Sequence, residues 1–285
     1  MNLDEKIISA LKDLDYKEAT EIQKKAIPIA LKKRDILAAA QSGTGKTAAF
    51  LLPILTELIA NKQPNKPVLR TLILVPTREL ASQISKAAED LGKYLDVQKL
   101  AVFGGVSTKE QEKKIAKGLD ILVATSGRLM EHLKNGTVDL SSVTTVVIDE
   151  VDTMLDMGFL EDIEKILPSV GPKRQIMMFS ATMNQNVKKL AKEFLTDPVV
   201  VEVAQQRSAV KIIDQQIVLV DEANKAAALS YIIGSRNYSQ VLVFVNMKIE
   251  ADTLVEHLEL DGLTAGCIHG DVRQTARAKV MRKFK

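Results

Sequence analysis

The chain has 285 residues, of which 46% are hydrophobic, and this is enough for about two globular domains, each with its own core. Lys and Arg (39) barely outnumber Asp and Glu (36), which excludes nucleic-acid binding through bulk positive charge alone. No apolar run reaches the roughly 20 residues of a membrane span, and MNLDEKIIS lacks the features of a signal peptide, so we expect a cytoplasmic protein.

Short apolar runs alternate with segments of helical periodicity through the first two thirds of the chain. Predicted helices between the runs include 77–91, which Gly92 ends, and 184–195, which Pro198 follows. The Lys-rich stretch 109–117 predicts a helix with a solvent-exposed face. The pattern is typical of a parallel sheet covered on both faces, so we predict a doubly wound α/β fold. The six runs are ILAAA (36–40), TLILVP (71–76), KLAVF (99–103), DILVA (120–124), TVVID (145–149) and QIMMFS (175–180).

A polar stretch, AQQRSAV, begins at residue 204, and a second alternation of strand and helix patterns follows it. We therefore predict a first domain at 1–205, a linker at 206–214 and a partial second domain at 215–285. Three strand–helix pairs in about seventy residues are few for a free-standing core. The second domain is predicted to contain strands at 215–220, 240–245 and 264–269, and helices near 223–233, near 248–260 and at the end of the chain.

The residue types that most often bind structural metals are sparse in this sequence. Cys267 is the single cysteine, so the chain cannot form an internal disulfide. The three histidines, His132, His257 and His269, are scattered and offer no spacing typical of zinc ligands. A structural metal site is therefore not expected.

The segment AQSGTGKT (40–47) follows a predicted strand and precedes an apolar helix, which is the context that a phosphate-binding loop requires. Its glycines allow successive backbone N–H groups to point at phosphate oxygens, beside the positive end of the helix dipole. Lys46 would supply a charge for the terminal phosphates, and Thr47 a hydroxyl for Mg²⁺. The alternative is a glycine-rich turn without a ligand. The nucleotide-binding residues predicted in the loop are Ser42, Gly43, Thr44, Gly45, Lys46 and Thr47.

Three carboxylates, Asp149, Glu150 and Asp152, follow directly on a run of β-branched residues. Like charges so close together cost free energy unless something neutralises them, and a bound cation would do so. At the carboxyl end of its strand, Asp149 can hold the Mg²⁺ that Thr47 also approaches. Glu150 could then orient or deprotonate the water that attacks the γ-phosphate. Taken alone, DEVD could instead be the acidic first turn of a helix, favoured by the helix dipole.

The order of the motifs resembles that of the DEAD-box RNA helicases. A valine replaces the usual alanine in DEVD, and a serine replaces the usual proline in TSGR, without removing a charge or donor that the chemistry needs. The resemblance implies two RecA-like domains, ATP with Mg²⁺ as the bound nucleotide, and ATP hydrolysis. The motifs that carry it are AQSGTGKT (40–47), PTREL (76–80), GG (104–105), TSGR (125–128), DEVD (149–152) and SAT (180–182).

The resemblance also assigns roles to residues outside the phosphate loop. ATEIQ (19–23) resembles the family's adenine-reading motif, which implies that Gln23 binds the adenine edge, Thr20 supports the loop and Tyr16 packs near the base. Ser180 and Thr182 would bond to Asp152 and link the ATP state to domain closure. The residues implied to hold the backbone of single-stranded RNA, without reading its sequence, are Thr77, Arg78, Gly105, Thr125, Arg128 and, in the second domain, Gly270.

QVLVFVN (240–246) and IHGDVRQTAR (268–277) resemble the start of the family's second RecA-like domain, which implies that Gly270, Gln274 and Arg277 lie near RNA or the inter-domain face. The stretch HGD (269–271) could equally be a strand end and a helix cap. No HRxGRxGR-like stretch, which carries the family's arginine finger, occurs in these residues. We therefore expect a truncated helicase, monomeric, that binds ATP–Mg²⁺ but unwinds RNA poorly. Two alternatives stay open, namely a nucleotide-gated RNA-binding module without turnover and a DNA translocase.

Overall fold

The computed structural model describes residues 3–41, 43–61, 67–203 and 214–284. Contacts between residues divide the chain into two compact units, Met1–Gln206 and Arg207–Lys285. The predicted linker at 206–214 lies outside the described residues except for Asp214.

The first unit is built on one parallel sheet of seven strands in the order β3-β4-β2-β5-β6-β1-β7. All six predicted runs form strands within one residue of the expected bounds, and β7 is added beside β1. The prediction of a doubly wound α/β fold is confirmed. The strands are β1 (Ile36–Ala39), β2 (Thr71–Val75), β3 (Lys99–Val102), β4 (Ile121–Thr125), β5 (Thr145–Ile148), β6 (Gln175–Ser180) and β7 (Val199–Glu202).

Helices connect the strands, and their caps explain where several begin. The side chain of Thr77 accepts a hydrogen bond from Leu80 N (3.2 Å), and that of Asn184 from Val187 N (2.9 Å). No described helix has both the length and the apolar character needed to cross a membrane. The helices of this unit are α1 (Glu5–Asp13), α2 (Glu21–Leu31), α3 (Lys46–Ala60), α4 (Arg78–Leu91), α5 (Thr108–Ile115), α6 (Ser126–Lys134), α7 (Val151–Asp156), α8 (Leu160–Ile166) and α9 (Gln185–Phe194).

The core of the first unit lies on both faces of the sheet. Side chains alternate along each strand, so Ile73 belongs to one buried cluster while Leu72 and Leu74 belong to the other. Phe50 of α3 and Phe179 of β6 are fully buried, and their ring centroids lie 5.3 Å apart. Side chains therefore pack against both faces of the sheet and hold it in place, which also fixes the positions of the residues that directly follow its strands.

The second unit contains α10 (Lys225–Ser235), α11 (Lys248–Leu260) and α12 (Gln274–Phe284), close to the predicted helices. The prediction of strands at 215–220, 240–245 and 264–269 is wrong, because no strand is formed within 214–284. An isolated β-branched run has no partner for its backbone groups and leaves its apolar side chains in water. Ile217, Leu219 and Phe244 are accordingly 91%, 94% and 87% exposed.

Candidate functional site

The predicted nucleotide-binding groups gather at one edge of the sheet. The phosphate loop follows β1, Asp149 follows β5, and Ser180 ends β6, and these three strands are neighbours. Since the strands are parallel, their carboxyl ends meet at the same edge. A hydrogen bond from Ala40 N to Ser180 O (3.0 Å) extends the sheet to the first residue of the loop.

The phosphate loop depends on glycine at position 45. Gly45 has a positive φ of 92°, in the left-handed region, and it directly precedes α3. A Cβ atom there would lie 2.5 Å from Gln23 Nε2 and 3.0 Å from Thr20 Oγ1. Thr44 Oγ1 donates to Gln41 O (2.7 Å) and closes the loop on itself. Ser42, which is predicted to bind the nucleotide, lies outside the described residues.

The side-chain ammonium group of Lys46 is buried and makes no hydrogen bond to any residue that the structure describes, so it can bind an anion. It is only 6% exposed, and its Nζ has no hydrogen-bond partner among the described residues. The nearest carboxylate oxygen, Asp149 Oδ1, lies 3.9 Å away, which is an ion pair at its longest range. A buried charge without hydrogen bonds is costly, so an anion placed beside Lys46 would be strongly favoured.

Asp149 is a buried carboxylate in an environment that disfavours its charge. Burial raises the pKa of Asp149 to about 6, the nearby ammonium of Lys46 opposes that rise, and the charge of Glu150 adds to it. The backbone N–H of Glu150 donates to Asp149 Oδ1 (3.0 Å). A cation bound to this carboxylate would relieve both desolvation and repulsion, as the sequence argument requires. Thr47, the predicted second Mg²⁺ ligand, is the second residue of α3 and is half-buried.

Glu150 stands in a strained backbone conformation at the point where β5 gives way to α7. Its φ and ψ are 54° and 50°, in the left-handed region that non-glycine residues seldom adopt. The next residue, Val151, is fully buried and packs in the core. The DEVD variant therefore places its apolar residue away from the acids.

Asp152 is tied to the loop that follows β6. Its Oδ2 accepts hydrogen bonds from Thr182 N (2.9 Å) and Thr182 Oγ1 (3.0 Å), and Ser180 Oγ donates to Thr182 O (2.7 Å). Burial acts to raise the pKa of Asp152, but the hydrogen bonds from Thr182 and Ser180 outweigh it and hold that pKa below its usual range. The structure thus brings the three predicted coupling residues together.

The predicted adenine-reading residues are divided in the structure. Gln23 Oε1 accepts from Thr20 N (3.0 Å), and its Nε2 donates to Gly45 O (3.1 Å), so this side chain supports the phosphate loop directly. The amide keeps one further N–H and one lone pair for a ligand. Tyr16 follows the end of α1 and is 46% exposed. The assignment of the adenine edge to Gln23 stays a prediction.

The predicted RNA-binding residues Thr77 and Arg78 lie where β2 passes into α4. Gly105 has a φ of 83°, and a Cβ atom there would overlap the guanidinium of Arg78. The positive φ favours glycine at this position, where the turn at 104–105 lies against the arginine. Thr77 caps α4 through Oγ1 and keeps its hydroxyl proton available as a donor.

Arg128 faces the protein in this structure. Its side chain is 9% exposed, it pairs with Glu131 (2.9 Å), and its Nη1 donates to Val106 O (3.1 Å) and Gln111 Oε1 (3.2 Å). Thr125, at the end of β4, is half-buried beside it in sequence. RNA contact by Arg128 stays a prediction, and the contacts seen here fix the segment that follows Gly105.

Sequence reasoning missed two residues behind that segment. Gln111 is buried on the predicted exposed helix and donates from Nε2 to Phe103 O (3.1 Å). Its Oε1 lies 2.9 Å from His132 Nε2, and His132 Nδ1 lies 2.9 Å from Thr137 Oγ1. Only a weak indication in the sequence pointed to the burial of Gln111, namely that it is an uncharged residue on an otherwise charged helix.

In the second unit, Gly270 lies between α11 and α12. A Cβ atom on it would lie 3.5 Å from Lys248 Nζ, and Lys248 pairs with Asp271 (2.9 Å). Gln274 begins α12, and Arg277 follows in its first turn. The structure leaves RNA contact by these residues a prediction.

A seven-stranded parallel sheet with this loop and these acids defines a phosphate-loop α/β domain of RecA-like type. The family model described as "DEAD/DEAH box helicase" matches residues 20–190, more than half of the chain, and "Helicase conserved C-terminal domain" matches 224–285. The chain belongs to the DEAD/DEAH box helicase family, which confirms the resemblance seen in the motifs.

Known relatives agree with the family model. The chain is 37% identical over 284 residues to the DEAD-box ATP-dependent RNA helicase CshA of Bacillus subtilis, covering 100% of this chain and 57% of that protein. It is 39% identical over 283 residues to the CshA of Listeria monocytogenes, covering 99% and 54%. A solved DEAD box protein from Methanococcus jannaschii matches with a TM-score of 0.67 and 34% identity, covering 100% and 76%. The chain thus spans just over half the length of the curated relatives it matches.

Proposed function

We propose that this chain is the ATP-binding and ATP-hydrolysing domain, with part of the second RecA-like domain, of a DEAD-box ATP-dependent RNA helicase. The observation that carries the proposal is the meeting of Lys46, Asp149 and Glu150 beside the phosphate loop. A buried ammonium without a hydrogen bond to the described residues, a buried carboxylate of raised pKa and a strained adjacent acid stand within one small region.

The residues present fit a nucleotide with Mg²⁺. The backbone N–H groups of the loop and the Lys46 ammonium would bind the phosphates, while the Asp149 carboxylate and the Thr47 hydroxyl would hold the ion. Hard oxygen ligands of this kind are those that Mg²⁺ prefers. When bound, the ion neutralises charge on the phosphate oxygens.

Glu150 is the proposed general base. Its carboxylate accepts a proton from water as the water oxygen bonds to the γ-phosphorus and the bond to the leaving ADP oxygen breaks. The fixed left-handed conformation of Glu150 holds the side chain at the strand end and supports this role.

Asp152 and Thr182 are the proposed link between nucleotide state and RNA binding. Their hydrogen bonds connect the helix after Glu150 with the loop after β6, so a change at the γ-phosphate can reach that loop. The bound RNA is proposed to be single-stranded and read by its backbone, because the chain has no Trp and only 4% aromatic residues. The proposed RNA ligands are Thr77, Arg78, Gly105, Thr125, Arg128 and Gly270.

We further propose that the chain acts as a monomer in the cytoplasm, where ATP and RNA are both present. Because the chain lacks an HRxGRxGR-like stretch, we expect slow turnover and poor unwinding by these 285 residues. The second candidate, an RNA-binding module gated by ATP without turnover, is favoured by the same absence and opposed by the intact Glu150.

The deciding experiment measures phosphate release from ATP by the full chain, with and without single-stranded RNA, in wild type and Glu150→Gln. Removing the base should lower turnover by about 10²- to 10⁴-fold while a fluorescent ATP analogue still binds. Lys46→Ala should instead weaken binding of that analogue. The matched control is Glu161→Gln, an identical change at a side chain that is 81% exposed.

Each outcome separates the candidates. Turnover that Glu150→Gln abolishes and Glu161→Gln preserves supports the hydrolase. ATP binding that strengthens RNA binding, with no turnover in wild type, supports the gated module. Equal stimulation by DNA and RNA of the same sequence would contradict an RNA-specific enzyme, because the 2′-hydroxyl is the group that distinguishes them.

A further inference from the structure

Three side chains of different chemistry meet in the second unit, next in sequence to Gly270. Asp252 lies near the beginning of α11, and Cys267 and His269 lie two residues apart in the segment that follows this helix. Along 263–270 exposure alternates, with Cys267 and His269 on the less exposed side. Their spacing of two residues therefore places both on the side that meets Asp252.

The ligand-type atoms of these residues converge on one point. Cys267 Sγ donates to Asp252 Oδ1 (3.2 Å), His269 Nε2 lies 3.0 Å from the same oxygen, and the three atoms lie within 4.8 Å of one another. The His269 side chain is 13% exposed and that of Asp252 is 54% exposed. The cluster is therefore largely buried at His269 and open to solvent at Asp252. Among the described residues, this is the one group of three His, Cys, Asp or Glu side chains brought so close together.

The separations suit a tetrahedral cation. With a metal–sulfur distance of about 2.3 Å and metal–nitrogen and metal–oxygen distances of about 2.0–2.2 Å, neighbouring ligands of a tetrahedral site stand roughly 3.3–3.8 Å apart. The present atoms need to move only by fractions of an ångström to about one ångström to reach that arrangement. For Nε2 to bind the ion, the ring proton of His269 must sit on Nδ1, a buried atom for which the described part of the chain supplies no acceptor.

We propose that Asp252, Cys267 and His269 form a binding site for a divalent cation of the Zn²⁺ class. Carboxylate oxygen, thiolate sulfur and imidazole Nε2 supply three ligands, and the open side supplies a fourth position for water or an incoming group. A thiolate and an imidazole disfavour Mg²⁺ and Ca²⁺, which take oxygen ligands. This site is separate from the predicted Mg²⁺ ligands Thr47 and Asp149.

Binding is balanced in charge and protons. The Sγ–H bond of Cys267 breaks, its proton passes to solvent, and a metal–sulfur bond forms. The His269 ring keeps one proton, on Nδ1. The carboxylate and the thiolate together neutralise the dication, so the net charge of the partly buried cluster goes from −1 without the ion to zero with it.

The proposal also gives a role to a group of side chains that the spacing of the histidines in the sequence did not predict. One of the three scattered histidines and the single cysteine come together because the chain returns along α11. A bound ion would fasten the segment 267–271 to that helix, beside the exposed pair between Lys248 and Asp271. The inference does not depend on the proposed ATPase activity.

Cobalt is the probe that identifies the sulfur ligand. The full chain is titrated with Co²⁺ in excess Mg²⁺, and the near-ultraviolet band of thiolate-to-cobalt charge transfer is recorded. Because the sequence holds one cysteine, such a band has a single source within a chain. We expect one Co²⁺ per chain, displaced by one Zn²⁺, with the chain still monomeric by size-exclusion chromatography.

Variants then assign the other ligands. Cys267→Ser should abolish the band, and Asp252→Asn and His269→Gln should each weaken Zn²⁺ binding at least about tenfold. The matched control is His257→Gln, also on α11, which should bind as wild type does. Circular dichroism of each variant shows whether its fold is retained. Absence of the band in wild type, or equal Zn²⁺ affinity in folded His269→Gln and wild type, would overturn the proposal.

Discussion

The two units of this chain use similar strand-forming sequences with opposite outcomes. In the first unit every predicted apolar run pairs on at least one side, and every residue of the inner strands β2, β5 and β6 is buried. In the second unit the runs 215–220 and 241–245 form no strand, and side chains such as Leu219 and Phe244 stay in water. Sequence pattern alone therefore does not produce a strand, because partners and a covering layer must also be present.

The presence or absence of strand pairing also determines how firmly each unit holds its functional side chains in place. Asp149 and Ser180 lie at or directly after the ends of paired strands, and the phosphate loop that leads to Lys46 begins at the end of β1, so the sheet holds these groups near one another. The cluster of Asp252, Cys267 and His269 rests on one helix and one segment without strand pairing. A preformed nucleotide site is expected in the first unit, whereas an ion in the second unit would order the segment that binds it.

Hydrogen exchange should give the largest contrast between the units. Amides of β1, β5 and β6 should exchange more than about 10³-fold slower than those of 241–245, since the central strands open only by global unfolding. Exchange followed by mass spectrometry of short peptides measures this, with α11 amides as an internal reference. Comparable protection in 241–245 would mean that this run is paired in solution.

A matched pair of phenylalanines tests the contrast in packing. Phe179→Ala should lower the free energy of unfolding by about 3–5 kcal/mol, because it leaves a cavity against Phe50 in a closed core. Phe244→Ala, at a side chain that is 87% exposed, should change it by less than about 0.5 kcal/mol. Urea denaturation measures both. A large loss of unfolding free energy from Phe244→Ala would mean that this side chain is buried in solution, which would contradict the structure of the second unit.

Much of the first unit could be predicted from the sequence. Its strands are continuous buried runs, and periodicity reports burial directly, as for TVVI in β5. The grouping of the phosphate loop with Asp149 followed from parallel strands, which bring their carboxyl ends together. The second unit defeated the same reasoning because the pattern of 241–245 indicates what the run would bury if it had partners, not whether it has them.

The hydrogen bonds between Asp152 and Thr182 test coupling within the first unit. In a double-mutant cycle with Asp152→Asn and Thr182→Val, we expect an interaction energy of about 1–3 kcal/mol, because the bonds involve a buried carboxylate. Calorimetry or urea denaturation of the four proteins measures it. The exposed pair Lys248–Asp271, treated with Lys248→Met and Asp271→Asn, should show no coupling above experimental error. Equal coupling in both pairs would contradict the assignment of Asp152 to a buried network.

The supporting network behind the turn at 104–105 was beyond sequence reasoning for a different reason. Gln111 and His132 are separated by 21 residues and meet through the packing of α5 against α6. Neither belongs to a motif, and a buried histidine carries no periodic signal of its own. Only the fold shows that Gln111 joins Phe103 O to the guanidinium of Arg128.

Acid should weaken this network and with it the first unit. Burial lowers the pKa of His132, the nearby charge of Arg128 lowers it further, and Glu112 and Glu131 oppose the shift. A folded-state pKa below the usual 6.5 means that the unfolded chain binds the proton more readily, so this stability is complete above about pH 6.5. It is lost as the pH falls from there through the folded-state pKa, with a slope of at most about 1.4 kcal/mol per pH unit for one proton.

The control for that slope is a histidine of the second unit. Melting temperatures are measured from about pH 7.5 to about pH 5.5, a range that brackets the usual histidine pKa. As the pH falls, the melting temperature should drop less steeply in His132→Gln than in wild type. His257→Gln, at an exposed position on α11, should keep the wild-type slope. If His132→Gln melts in parallel with wild type across this range, His132 does not exclude the proton.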